Sequence, residues 1–235
     1  MSRSEQSGIK LILETVGLTG LAFIASLILG VIFVVGAILG GYGTDSIFTL
    51  AGSTIIGQVG FLIVAFLYIQ YRDVKVPFEL PSKSNLLFIV GGIGLTLVTA
   101  LGLLQIQSML GLMSESVIEE VAKSNPMILL VLAILSITLI APSEELLFRG
   151  AIQGRLHEHF GPYPSIITAS LLFGSLHLLN FSGSIIPTVF SAFIIVVTGS
   201  ILGWLYEKTD NITVPIMVHA IYNFILLVPS YFAMV

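Results

Sequence analysis

Met127-Ile-Leu-Leu-Val-Leu-Ala-Ile-Leu-Ser-Ile-Thr-Leu-Ile140 runs straight into Ala141-Pro-Ser-Glu-Glu-Leu-Leu-Phe-Arg149-Gly150. An apolar run of this kind reads as a membrane helix, yet it carries two carboxylates and an arginine. Charges inside such a segment are costly and default to a functional role with a nameable partner. Glu145 and Arg149 are four apart, so they share a helix face and can pair. Glu144 lies about 100° away around the helix and has no local cation.

The whole chain agrees with a membrane reading. Of its residues 56% are hydrophobic and 9% charged, and mean hydropathy is +1.06, whereas soluble domains carry roughly 25% charged residues. The expected fold is all-α, a polytopic transmembrane bundle of seven or eight helices. No basic cluster exists to meet phosphates, so nucleic acid is not an expected partner. Cysteine is absent, which excludes disulfides, thiolate metal sites and a cysteine nucleophile.

Taken in order, Met1 to Lys10 is a polar tail, and Leu11 to Gly40 is apolar apart from Glu14. That run is far longer than the 7–15 residues of a signal-peptide core and reads as a retained first span. Further spans are expected over Ile47–Gln70, Leu86–Ile106, Asn125 to about His157, Ser165–Phe181, Ile186–Tyr206 and Ile212 to the C-terminus. Asn125-Pro126 resembles a cap followed by proline at the first position, and Gly161-Pro-Tyr-Pro164 is a break. Gly199 and Gly203 have a spacing that permits close helix packing. Residues 1–124 read as N-terminal helices and 125–235 as the core of one integrated membrane domain.

With the N-terminus cytoplasmic, Arg3, Lys10, Arg72, Lys75, Lys83, Arg149, Arg155 and Lys208 fall on or toward the cytoplasmic side. Only Lys123 falls outside, in line with the positive-inside bias. This expectation has water entering from the cytoplasmic side.

Three more polar residues lie in apolar sequence: His177, His219 and Asn223. The last two are four apart, on one helix face. At about 1.5 Å per residue, Glu144, His177 and His219 sit roughly 10–20 Å from the nearest helix end, inside the bilayer. A carboxylate removed from bulk water suits general-base work. Glu144 with His177 could hold and deprotonate a water, while His219 and Asn223 donate to an oxyanion. Alternatively, Glu144, His177 and His219 are three ligands for a catalytic zinc with an open position. Pro142 withholds its i−4 hydrogen bond and should bend the helix beside the carboxylates, opening a pocket to water.

Glu144-Glu145…Arg149, Phe173…His177 and His219…Asn223, in that order, resemble the CAAX-protease and bacteriocin-processing (CPBP, or "Abi") family of intramembrane proteases. The stretch Gly199…Gly203-Trp-Leu-Tyr-Glu-Lys-Thr is also similar, and the likeness covers roughly Asn125 to Phe224. It implies a catalytic set of Glu144, His177, His219 and Asn223, supported by Glu145, Arg149 and Phe173. Eukaryotic members remove the last three residues of prenylated CaaX proteins, and members have been described both as metalloproteases and as glutamate-type proteases. The prenyl-protein members resemble an eight-helix bundle, against seven spans counted here.

The resulting expectation is an intramembrane endopeptidase acting on membrane-associated or lipidated peptides in the bilayer. A non-catalytic scaffold or immunity protein of the same family and a proton-coupled transporter are the rivals. No duplicated half with paired broken helices is visible, which weighs against transport. His157-Glu158-His159 is read as an interfacial helix end, and Glu119-Glu120…Lys123 as a solvated turn outside the membrane.

Overall fold

A computed structural model describes residues 3–235; Met1 and Ser2 of the expected polar tail lie outside it. Among the described residues the chain is 85% helical, in eight helices. They are α1 (Arg3–Leu39), α2 (Ile47–Arg72), α3 (Lys83–Met109) and the short α4 (Val117–Ser124). Then follow α5 (Met127–Phe160), α6 (Pro162–Leu176), α7 (Ile185–Thr209) and α8 (Thr213–Met234). Six of them, all but α4 and α6, are long and apolar enough to cross a membrane. The protein is an integral, multi-pass membrane protein.

Two boundaries differ from the sequence reading. Helix α1 starts at Arg3, not after Lys10, because nothing between Arg3 and Lys10 breaks a helix. The expected span over Ser165–Phe181 ends as a regular helix at Leu176 and continues as a 3₁₀ turn over His177–Asn180. Its 15 residues rise about 22 Å, short of the ~30 Å hydrocarbon thickness. The chain then forms a two-residue strand, β2 (Phe181–Ser182), antiparallel to β1 (Glu115–Ser116). Non-helical backbone at depth is tolerated where it lines a cavity, and His177 and Asn180 do so.

Helix α5 is the hub. Leu147 to Gln153 are buried without interruption, so this turn and a half is enclosed on every side, its polar Arg149 and Gln153 included. Helix α2 packs on α1 and α5, α6 on α5 and α7, and α8 on α3, α5 and α7. On α1, by contrast, Leu11, Thr15, Leu18 and Ala22 form one buried stripe, while Leu13, Ile24 and Ile32 are exposed as lipid-facing positions.

The two ends of the bundle have different chemistry. At one, Glu14 of α1 accepts from Arg72 Nε (2.8 Å) and Tyr68 Oη (2.6 Å). Asn211 ties the α7–α8 turn to the α2–α3 loop by accepting from the Glu79 N–H and donating to the Glu79 carbonyl. His157 lies 2.8 Å from Glu207 and Arg155 pairs with Glu158, so His157-Glu158-His159 is a paired helix end. At the other end, Ala122, Ile128 and Leu129 pack with Leu50, Leu227 and Tyr231. There Lys123 pairs with Glu120 (2.6 Å), a hydrogen bond that holds the ammonium above the usual lysine range. Asn125 closes α4 through its backbone N–H to Val121 and makes no side-chain cap for α5.

Gly161 shows why α5 stops. Its φ of +75° suits glycine, and Pro162 behind it starts α6 at a first-turn position where no donor is needed.

Candidate active site

The sequence anticipates a bend at Pro142. The structure instead places two π-helical segments, Ser136–Ile140 and Leu146–Gln153, on either side of an α-helical Ala141–Glu145. The Ala141 N–H donates five residues back, to the Ser136 carbonyl. Proline supplies no N–H of its own, and the wider turn absorbs the lost bond within a continuous helix. Such turns gather at functional sites.

Glu145 and Arg149 are both fully buried. Arg149 Nη1 donates to Glu145 Oε1 (3.1 Å), and Nη2 donates to the Gly199 carbonyl (2.8 Å). The guanidinium also lies 4.8 Å over the Phe173 ring, a cation–π distance. The same Glu145 oxygen accepts from His219 Nδ1 (2.8 Å). One carboxylate oxygen therefore joins Arg149 to His219 and fixes the imidazole with Nε2 turned away. That Nε2 is 3.8 Å from Glu144 Oε2, beyond direct hydrogen bonding. When Glu144, Glu145 and Arg149 are all ionised the cluster carries one net negative charge, which a single proton on His219 neutralises.

Phe173 organises both histidines. Its ring centroid is 4.6 Å from His177 and 5.9 Å from His219, edge-on to each. His177 Nδ1–H donates to the Phe173 carbonyl (2.8 Å), leaving Nε2 of the neutral ring as an acceptor. Asn223 Nδ2 donates to Ser136 Oγ (2.9 Å), which occupies one of its two N–H bonds. Glu144, His177, His219 and Asn223 all line one cavity of about 590 Å³. Glu144 is its only carboxylate, and no Lys or Arg faces it among the described residues.

The juxtaposition expected of Glu144 and His177 is absent as a direct bond among the described residues. Glu144 meets Gln58 and His219 instead. Gln58 Nε2 donates to Glu144 Oε1 (3.3 Å), while Gln58 Oε1 accepts from Ser143 Oγ. Gln58 and Ser136 were not legible as site residues. Gln58 sits mid-span in α2 as a half-buried amide in an apolar helix, and that polarity was the signal available. If Gln58 supports the Glu144 carboxylate, Gln58→Ala will lower kcat about 10- to 100-fold, from ~1.5–3 kcal/mol for a hydrogen bond to a charged group. Unchanged kcat with a raised KM would assign Gln58 to substrate contact.

Gly199 and Gly203 do more than allow close packing. Their carbonyls accept from Arg149 and Gln153, and Gln153 Nε2 also reaches Glu207 (2.8 Å). A Cβ on Gly203 would stand 2.7 Å from Gln153 Oε1, and one on Gly199 3.1 Å from Phe173 and 3.2 Å from Arg149 Nη2. Gly203→Ala and Gly199→Ala should each destabilise the protein by about 1–3 kcal/mol, the usual cost of overpacking, seen as a lower Tm in detergent. An unchanged Tm for both would show that this contact can relax.

The donor types of Glu144, His177 and His219 suit zinc. Their placement does not: among the described residues no three His, Asp or Glu side chains are grouped closely enough to hold one ion.

Neither the curated proteins nor the solved structures contain a match. A family model described as "Rce1-like: Type II CAAX prenyl endopeptidase Rce1-like" matches residues 126–225, nearly the stretch marked by the three motifs and less than half of the chain. That stretch contains Glu144, Glu145, Arg149, Phe173, His177, His219 and Asn223. Over residues 126–225 this multi-pass membrane protein is similar to the type II CAAX prenyl endopeptidase Rce1-like family, a likeness consistent with the CPBP family of intramembrane proteases.

Proposed function

We propose that the protein is an intramembrane endopeptidase whose water is activated by Glu144. The observation that carries this reading is the cavity itself: Glu144, His177, His219 and Asn223, from three helices, open onto one space, with Glu144 as its only carboxylate among the described residues. Residues 1–124 and 125–235 act as one membrane domain, because Gln58 of α2 reaches Glu144. The N-terminus is cytoplasmic.

In this mechanism Glu144 takes a proton from a water that also donates to His177 Nε2. The water oxygen attacks the peptide carbonyl, and the π electrons move to its oxygen. His219, protonated on both nitrogens against Glu145, donates from Nε2 to that oxyanion. The second N–H of Asn223 does the same, and such donors act where charge develops. The C–N bond then breaks and Glu144 returns its proton to the leaving amine. Arg149 and Glu145 are positioning residues, and no step passes through a metal.

The test is purified protein in detergent with a quenched farnesylated CaaX peptide and its unprenylated twin. Cleavage by wild type and loss in His219→Ala support the reading; a folded wild type that cleaves neither peptide removes the CaaX substrate, and one that also leaves a mixture of unrelated membrane-segment peptides intact overturns the protease reading in favour of a non-catalytic scaffold. Chelation is expected to leave turnover unchanged. Loss on chelation with recovery on adding zinc would replace the Glu–His mechanism with a metal one.

A further inference from the structure

The cavity runs in one direction only. On α5 its wall is Glu144, Ile140, Ser136, Leu132 and Ile128, every fourth residue back toward the α4 end. On α8 it extends from His219 through Asn223 to Leu227, and on α2 from Gln58 to Leu50. Both paths lead to the same end, where Val117, Ile118 and Val121 of α4 and Phe181 of β2 stand at the wall.

The opposite direction is closed. Beyond Glu145, the side chains of Leu147, Phe148, Arg149, Ile152, Gln153 and Leu156 are at most 1% exposed. From Glu144 to Leu156 this is about 18 Å of packed core. Behind it lies the end that carries Lys10, Arg72, Lys75, Lys83, Arg155 and Lys208. Arg149, expected on or toward that side, is instead inside the bundle and says nothing about orientation. Six basic residues at one set of span ends, against Lys123 at the other, put the basic end in the cytoplasm by the positive-inside bias.

We infer that the site is entered from the extracytoplasmic face, and that its substrate is a membrane-associated peptide segment presented on that face. This replaces the cytoplasmic access expected from the sequence. It rests on the protease reading for the chemistry and on the plug and the basic loops for the side. A prenylated C-terminus held in the cytoplasm would face the closed end, and a segment lying in the outer half of the bilayer would meet the open one. The polar wall on that route is hydroxyl and amide in character (Ser53, Thr54, Ser116, Asn180, Thr198), matched to peptide groups and not to a charged headgroup.

The chain has no cysteine, so single-cysteine variants report access directly. Thr54→Cys and Asn180→Cys place a thiol on the cavity wall, Asp45→Cys on the exposed α1–α2 turn and Lys75→Cys on the exposed basic loop. Each full-length variant is treated with a membrane-impermeant maleimide in spheroplasts and in inverted vesicles, then denatured and relabelled to count blocked thiols. The expected result is block of the Asp45, Thr54 and Asn180 variants in spheroplasts, and of the Lys75 variant only in inverted vesicles. Any other pattern overturns the inference, including a Thr54 variant blocked from neither side. A variant that aggregates in detergent is replaced by Ser53→Cys on the same wall. Labelling reads access and not cleavage, so failure of the assigned side and failure of the protease reading are separate results.

Discussion

Glu144→Gln is expected to reduce kcat by about 10²–10⁴-fold, the contribution typical of a positioned general base, with little change in Tm. The substitution keeps the shape and the contact with Gln58 but removes the proton acceptor. The contacts of the Glu144 carboxylate among the described residues are few: Gln58 at 3.3 Å and, beyond direct hydrogen bonding, His219 at 3.8 Å. Stability should therefore hold while turnover falls. The measurement is single-turnover cleavage beside thermal unfolding in the same detergent. A Gln variant within about tenfold of wild type would fall below the smallest effect expected of a general base and would exclude Glu144 from that role. A variant that fails to fold would mean that Glu144 is structural.

The second large effect concerns stability. Arg149→Met should cost about 3–5 kcal/mol, because removing one partner of a buried pair strands the other charge. Glu145 would keep only His219, and the Gly199 carbonyl would lose its donor. Glu145→Gln leaves the guanidinium without its carboxylate and should cost a similar amount. The double variant should be more stable than either single one, since no isolated charge remains. A coupling below about 0.5 kcal/mol, the ordinary error of additivity, would show that the two do not act as a pair. Activity gives the complementary readout. The double variant should regain Tm and stay inactive, because His219 Nδ1 has lost the carboxylate that orients it. The pair is joined through one oxygen, and Glu145 Oε2 and Arg149 Nε are buried without partners. That end-on geometry leaves Glu145 free to serve His219 as well, which a bidentate fork would hinder.

Spacing alone made the membrane class, the helix order and the Glu145–Arg149 pair readable, since all depend on composition or on neighbours within one turn. The same holds for His219 and Asn223 on one face of α8, and both line the cavity. Gln58 was not readable, because its partner is 86 positions away and a lone amide in an apolar helix has no periodic signature. The glycine carbonyls serving Arg149 and Gln153 were equally hidden, because backbone acceptors leave no mark on residue type. Ser136 was lost among small residues that suit any membrane helix.

The sequence by itself determined that this chain lies in a membrane, where its charges stand along each helix, and which residues are too polar for hydrocarbon without a reason. Those follow from transfer cost and helical periodicity, which are local. Only the tertiary structure decided that Pro142 is absorbed by π-turns, that Glu144 looks to Gln58 and His219, and that Phe173 spaces the two histidines. It alone also decided that the cavity points away from the basic loops. Each is a matter of which helices meet and at what height, and packing between distant segments sets that.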